Sequence, residues 1–187
     1  MQYLDRLAEA ADGDGWTLSL LPLGSVTITT GKVSISDPTG ATPRSHDLAA
    51  GEYPVQVVVL APEGQPNARQ VAAVLVEAGP GRPAAWEAAG SVELGELICV
   101  CDADLRYRIE EWEEDGRYQI SFLEDVAVPA LMERGRWRMG ARARFEDQTI
   151  LLAQNSHVPG EYPIWKGLDG AGQILCYLLD LGLLTEG

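Results

Sequence analysis

The side chains that could do chemistry in this 187-residue chain are two histidines, three cysteines and a dense set of carboxylates. Hydrolysis by a nucleophile needs an activated Ser or Cys with a base in reach, and the bases on offer are His46 and His157. No Ser stands in a Gly-x-Ser-x-Gly elbow. Cys99, Cys101 and Cys176 lie in apolar runs, where a small buried hydrophobe is the expected role, and Cys99-Val-Cys101 puts both sulfurs on one strand face. Without a Cys-x-x-Cys pair, two histidines do not make a structural zinc site, so no metal is expected. The glycine-rich phosphate cradles Gly-x-x-x-x-Gly-Lys-Ser/Thr and Gly-x-Gly-x-x-Gly are also missing, and no cofactor is expected. Carboxylate pairs such as Asp102 with Asp104 and Glu110 with Glu114 have the chemistry for acid/base work or for Mg²⁺ or Ca²⁺. In a chain with 28 Asp and Glu, any one pair is weak evidence.

The acids are not evenly spread. Residues 1–133 hold 22 acids and 8 bases, whereas residues 134–187 hold 6 of each, and the net charge is -14. The peak is Glu110, Glu111, Glu113, Glu114 and Asp115, followed by a basic run of Arg134, Arg136, Arg138, Arg142 and Arg144. A charge of this sign repels a phosphate backbone, so nucleic acid is excluded as a general partner. A basic protein is the partner such a surface would steer, with ionic strength as the diagnostic. No stretch reaches the 18 or more apolar residues of a membrane span, and Met1 to Asp14 lacks the pattern of a secretory signal, so a cytoplasmic protein is expected. An odd number of cysteines fits reduced thiols.

The elements that position these side chains follow from periodicity. Leu4, Leu7, Ala8 and Ala11 recur at helical spacing before Asp12-Gly13-Asp14-Gly15, which predicts a short N-terminal helix and linker over residues 1–15. The runs 16–20, 25–29 and 32–36 alternate polar and apolar residues with turn signals between them, which reads as a three-strand meander. Residues 55–60 and 70–77 read as a second hairpin, and 84–88 and 92–100 as shorter strands. Asp102 is placed to cap an acidic helix around 103–114, with Leu105, Ile109 and Trp112 on its apolar face. Further along, 118–122 reads as a strand, 128–134 as a short helix opened by Pro129, and 145–153 as a strand. The final pair, 162–167 and 173–179, is joined by Asp169-Gly170-Ala171-Gly172, and its second member is apolar enough to be a central strand. Gly51-Glu-Tyr-Pro-Val55 is echoed by Gly160-Glu-Tyr-Pro-Ile164.

The expected architecture is one α+β domain over residues 1–187. It comprises the N-terminal helix and linker and a β-rich body from residue 16, built as a bent antiparallel sheet or as two packed sheets. The order Lys32-Val-Ser-Ile-Ser-Asp37-Pro38, Gly51-Glu-Tyr-Pro-Val55, Val71-Ala-Ala-Val74, Val100-Cys-Asp102-Ala103, Gly160-Glu-Tyr-Pro-Ile-Trp165-Lys-Gly167-Leu-Asp169 and the strand ending at Asp180 resembles the bacterial domain-of-unknown-function family numbered 4241. The likeness runs from about residue 20 to the end. It implies a bacterial domain and carries no activity. The chain departs from that pattern at Asp104-Leu105, where the family is Gly-rich, and at His157-Val158-Pro159-Gly160-Glu161, where the family has Gly-Asp-Gly.

Three functional readings stay open. The preferred one is a non-catalytic, acidic protein-binding module, comparable to immunity proteins that cover a basic cleft. Its contact residues would be Glu110, Glu111, Trp112, Glu113, Glu114 and Asp115, with Tyr107 as a second anchor. The second is an enzyme with a pocket near Asp102, His157, Tyr162, Trp165 and Asp169, where turns meet strand ends. The third is a structural subunit of a homo-oligomer.

Overall fold

The computed structural model describes residues 15–40, 44–65, 67–114 and 121–181, without the side chains of Glu113 and Glu114. Residues 1–14 of the helix and linker expected over 1–15, Asp115 and most of the strand expected over 118–122 lie outside the described residues. The strands are β1 (Trp16–Ile28), β2 (Lys32–Ser36), β3 (Ser45–Asp47), β4 (Gly51–Pro62), β5 (Gln70–Glu77), β6 (Ala85–Leu94), β7 (Leu97–Asp102), β8 (Met132–Glu133), β9 (Arg136–Trp137), β10 (Gly140–Phe145), β11 (Gln148–Gln154), β12 (Gly160–Leu168) and β13 (Ile174–Asp180). Helix α1 spans Ala103–Glu114; a wide π turn over Leu123–Ala127 leads into the single-turn helix α2 (Val128–Leu131).

Two antiparallel sheets pack face to face, which makes the protein a sheet-rich α+β fold. One has the order β1-β4-β5-β13-β12-β6, the other β10-β11-β7-β2-β3, and β8 pairs with β9 as a small separate ribbon. The inner faces of both sheets supply the main core, including Val26, Ile35, Val57, Val74, Ile98, Leu151, Ile164 and Leu179. The other side of the five-stranded sheet presents Cys99, Cys101, Ile150 and Leu152. These are covered by Leu105 and Ile109 of α1 together with Phe122, Ala127 and Leu131. A third cluster, Val58, Leu60, Leu75 and Leu178 with the flanking rings of Trp16, Trp86 and Trp165, occupies the outer side of the six-stranded sheet.

The expected meander is corrected. Residues 16–28 form one long strand that pairs with β4, and β2 leaves for the other sheet, where it pairs with β3 and β7. Pro22 to Gly24 is not a turn but a bulge, with Pro22 opposite Gln56, Gly24 opposite Val55 and Leu23 looped out. β1 is an edge strand and is bulged at this point, a place where a residue without an N–H is tolerated, and Gly24 supplies a positive φ of 119°. The strand expected over 145–153 starts late: Phe145 ends β10, a turn at Glu146, whose φ is 53°, follows, and residues 148–153 belong to β11. Phe122 is helical and fully buried rather than part of a strand.

The Gly-Glu-Tyr-Pro echo has a structural meaning. Tyr53 donates its hydroxyl to the carbonyl of Ala49 at 2.8 Å, and Tyr162 donates to the carbonyl of Val158. Each ring folds back four residues and ties the preceding loop to the first turn of a strand, a tyrosine corner used twice in one sheet. β13 is central, between β5 and β12. No described helix is long and apolar enough to cross a membrane.

Candidate functional site

Helix α1 lies on the five-stranded sheet with Leu105 and Ile109 inward, which turns Asp104, Tyr107 and Glu111 outward. Tyr107 is 51% exposed. Asp104 pairs with Arg108 at 3.3 Å, and Arg108 also holds Glu146 beyond β10. Arg106 is fully buried. Its Nε donates to the Asp37 carbonyl at 3.2 Å and its guanidinium to the Gly40 carbonyl at 2.5 Å, so it fastens the β2–β3 loop to the helix, with Glu110 3.9 Å away. Glu111 is exposed and has no ion pair among the described residues. Trp112 stacks edge-on against Phe145, ring centroids 5.5 Å apart and planes at 81°, which makes it a packing residue of this layer.

The five residues expected to form a pocket do not converge. Asp102, at the end of β7, accepts hydrogen bonds from the Thr29 amide at 2.5 Å, the Thr30 amide at 3.0 Å and the Asp104 amide at 2.9 Å, and from both threonine hydroxyls. Burial pushes its pKa up, but the amides of Thr29, Thr30 and Asp104 outweigh that and hold the carboxyl below its ordinary value. The His157 ring bonds to the Val71 carbonyl at 2.9 Å, and its amide donates to Asn155. The Tyr162 hydroxyl is spent on its corner. Trp165 packs on the outer side of the six-stranded sheet, and Asp169 accepts from the amides of Ala171 and Gln173 in its own turn. Each of the four polar heads other than that of Trp165 is consumed by local architecture.

The thiols are poor nucleophiles here. All three are free and buried. The hydrogen bond that its thiol makes to Cys99, then burial, raise Cys101 well above the ordinary range, and burial pushes Cys176 up to about 11. Among the described residues no group of three or more His, Cys, Asp or Glu side chains could hold a metal ion.

Clefts open elsewhere: a small one of about 490 Å³ is lined by Glu133, Arg134, Arg136, Trp137 and Arg138, and two are larger. One, of about 670 Å³, runs beside Asp37, Arg44, Glu93 and Glu161. Glu93 and Glu161 face each other across β6 and β12, and Ser91 donates to Glu161, while the Asp37 carboxylate is occupied by Thr39 and the Gly95 amide. The larger, of about 940 Å³, forms where the β1 bulge meets β9 and the start of β10, and Arg69, Arg136, Trp137, Arg138 and Arg142 line it. None of its lining residues is acidic. Arg138 has Glu133 3.6 Å away and Arg142 donates to the Thr149 hydroxyl at 3.1 Å, whereas Arg69 and Arg136 make no ion pair among the described residues. Neither cleft includes any of the five expected pocket residues.

No protein family, curated protein or solved structure matches the chain.

The basic cleft is the feature that sequence reasoning missed. The run Arg134 to Arg144 is visible in the sequence, but it reads as surface charge that offsets the acids nearby. Its outward display follows from alternation in β10, where Ala141 and Phe145 are buried and Arg142 and Arg144 are exposed. Arg69 and Leu21 to Leu23 at the β1 bulge come from distant segments, so no local spacing could announce them.

Proposed function

We propose that the protein is a non-catalytic module that docks a basic partner protein through the outward face of α1. The observation that carries this reading is the exposed set of Asp104, Tyr107 and Glu111 on a helix whose other side is locked into the core. Such a face offers a half-exposed aromatic anchor surrounded by acids, the composition of a charge-steered interface with a hydrophobic centre. Glu110, Glu113, Glu114 and Asp115 extend its charge in sequence. The internal engagement of Asp102, His157, Tyr162 and Asp169, together with the raised pKa of Cys101 and Cys176, supports binding over catalysis. The mode would be that of an immunity protein covering a basic surface. Resemblance to the 4241 family and a cytoplasmic setting belong to the same proposal and add no activity.

The test is a pull-down from the native cells with the wild-type protein and with E110K/E111K, washed at low and high salt. The expected result is a stoichiometric basic protein that salt releases and the variant does not retain. A partner held equally by the variant, or one indifferent to salt, overturns the assignment of this face.

A further inference from the structure

We propose that the cleft beside Trp137 binds a small phosphorylated ligand carrying a flat ring, of the nucleoside di- or triphosphate class. The inference is independent of the acidic-face reading, because no residue of the cleft belongs to α1.

Four arginines, Arg69, Arg136, Arg138 and Arg142, line one opening in a protein whose acids outnumber its bases 28 to 14. Here the lining has no acid, and Arg69 and Arg136 stand without an ion pair among the described residues. Like charges gathered in this way repel one another, and an anion between them removes that cost. Arginine presents a planar fork of donors that matches phosphate oxygens in pairs, which separates this cleft from one built on lysine. Two regions far apart in sequence supply the arginines: the approach to β5 (Arg69), and the stretch from β9 through the residue after it to β10 (Arg136, Arg138 and Arg142). Arg142 is set by the five-stranded sheet and Arg136 by the small β8–β9 ribbon.

Trp137 decides the rest of the ligand. Its ring is 47% exposed in the wall of the cleft, with Met139 beside it, so a flat apolar face lies next to the charged groups. Aromatic rings of this kind stack bases irrespective of their hydrogen-bonding edges. At about 940 Å³ the space falls in the range of small-ligand sites. A polyphosphate held by arginines with its ring on Trp137 uses both halves of the wall, whereas an acidic peptide would use only the charge.

The experiment is isothermal titration of the full chain with ATP, inorganic triphosphate, adenosine and hexaglutamate at low salt. The expected order is ATP tighter than triphosphate, with adenosine and hexaglutamate silent. R69Q/R136Q should weaken ATP by about tenfold or more, since each lost contact is a charge-assisted hydrogen bond. Trp137→Leu should weaken ATP while leaving triphosphate unchanged. Circular dichroism and melting temperature verify folding, and R69Q alone serves as a second variant if the double one unfolds. Absence of heat with millimolar ATP overturns the proposal, as does ATP binding unaffected by R69Q/R136Q or hexaglutamate binding as tight as ATP.

Discussion

His46 should make the protein lose stability in mild acid, well above the pH at which most carboxylates titrate. It sits on the edge strand β3 opposite Val33, almost fully buried, with its ring 5.0 Å from that of Tyr177 and its Nε2 buried without a hydrogen-bond partner. Burial, reinforced by the Arg44 charge and opposed by Asp47, lowers its pKa from 6.5 to about 4. In the unfolded chain the ring takes up a proton as the pH falls through about 6.5, while the folded protein resists protonation down to about 4. The unfolded state then binds more protons, so stability declines as the pH drops through this window. The whole gap corresponds to about 3 kcal/mol, of which about 2 kcal/mol is lost between pH 7.5 and 5. His46→Phe keeps an aromatic ring on Tyr177 and removes the proton site. Urea unfolding followed by tryptophan fluorescence at pH 7.5, 6.5, 5.75 and 5 should show the wild type losing about 2 kcal/mol more than H46F across the series. His157 is present in both proteins and cancels. Parallel curves for the two would refute the reasoning, as would an NMR titration of the His46 ring with a midpoint of 6 or higher.

Asp102 and Gly140 give two further tests. In Asp102→Asn, whichever way the amide turns, at least one backbone N–H among those of Thr29, Thr30 and Asp104 meets an NH₂ group, so a loss of about 2–3 kcal/mol at pH 7 is expected. Because the folded carboxyl has a lowered pKa, its stabilisation is present above about 3.8 and fades as the pH falls through the lower folded value. The gap between wild type and D102N should narrow as the pH falls below about 3.8, and a gap that keeps its neutral-pH size in that range would contradict the clamp. A Cβ on Gly140 would lie 2.5 Å from Leu23 and 2.9 Å from the Leu152 carbonyl. The backbone oxygen cannot step aside, so Gly140→Ala should cost about 2 kcal/mol and lower Tm by about 6 °C; an unchanged Tm would show that the β1 bulge yields freely.

Local alternation in the sequence locates several strands with little ambiguity. Gln70–Glu77 and the pair flanking Asp169 to Gly172 occur where period-two runs and turn signals place them, and the apolar last strand is central. Partnership was less legible. A period of two says which side chains share a face but not which sheet the strand joins, and β2 obeys the same alternation whether it pairs with β1 or with β7. Pro22 and Gly24 carried the signature of a turn because a bulge on an edge strand asks for the same two residues. The β10 strand was hidden by its arginines, although Ala141 and Phe145 keep the inward rhythm. Asp102 and Asp169 attracted attention as polar residues at strand ends, and their partners are backbone amides, which no sequence pattern displays.

The place of β13 bears on how the protein is made. Residues 174–180 fill the middle of the six-stranded sheet, pairing with β5 about a hundred positions earlier, and Tyr177 donates its hydroxyl to the Asp47 carbonyl at 2.8 Å across 130 positions. Until that segment has been synthesised, β5 and β12 each face the gap with an unpaired and largely apolar ladder. Pairings this distant are slow to form, because the closure entropy of a long loop is spent before the contacts repay it. During synthesis the chain therefore passes through a stage at which two open sheet edges are available to any neighbouring strand, the condition under which nascent β proteins aggregate. Premature termination before residue 174 would not merely shorten this protein; it would leave the six-stranded sheet split into two open-edged fragments.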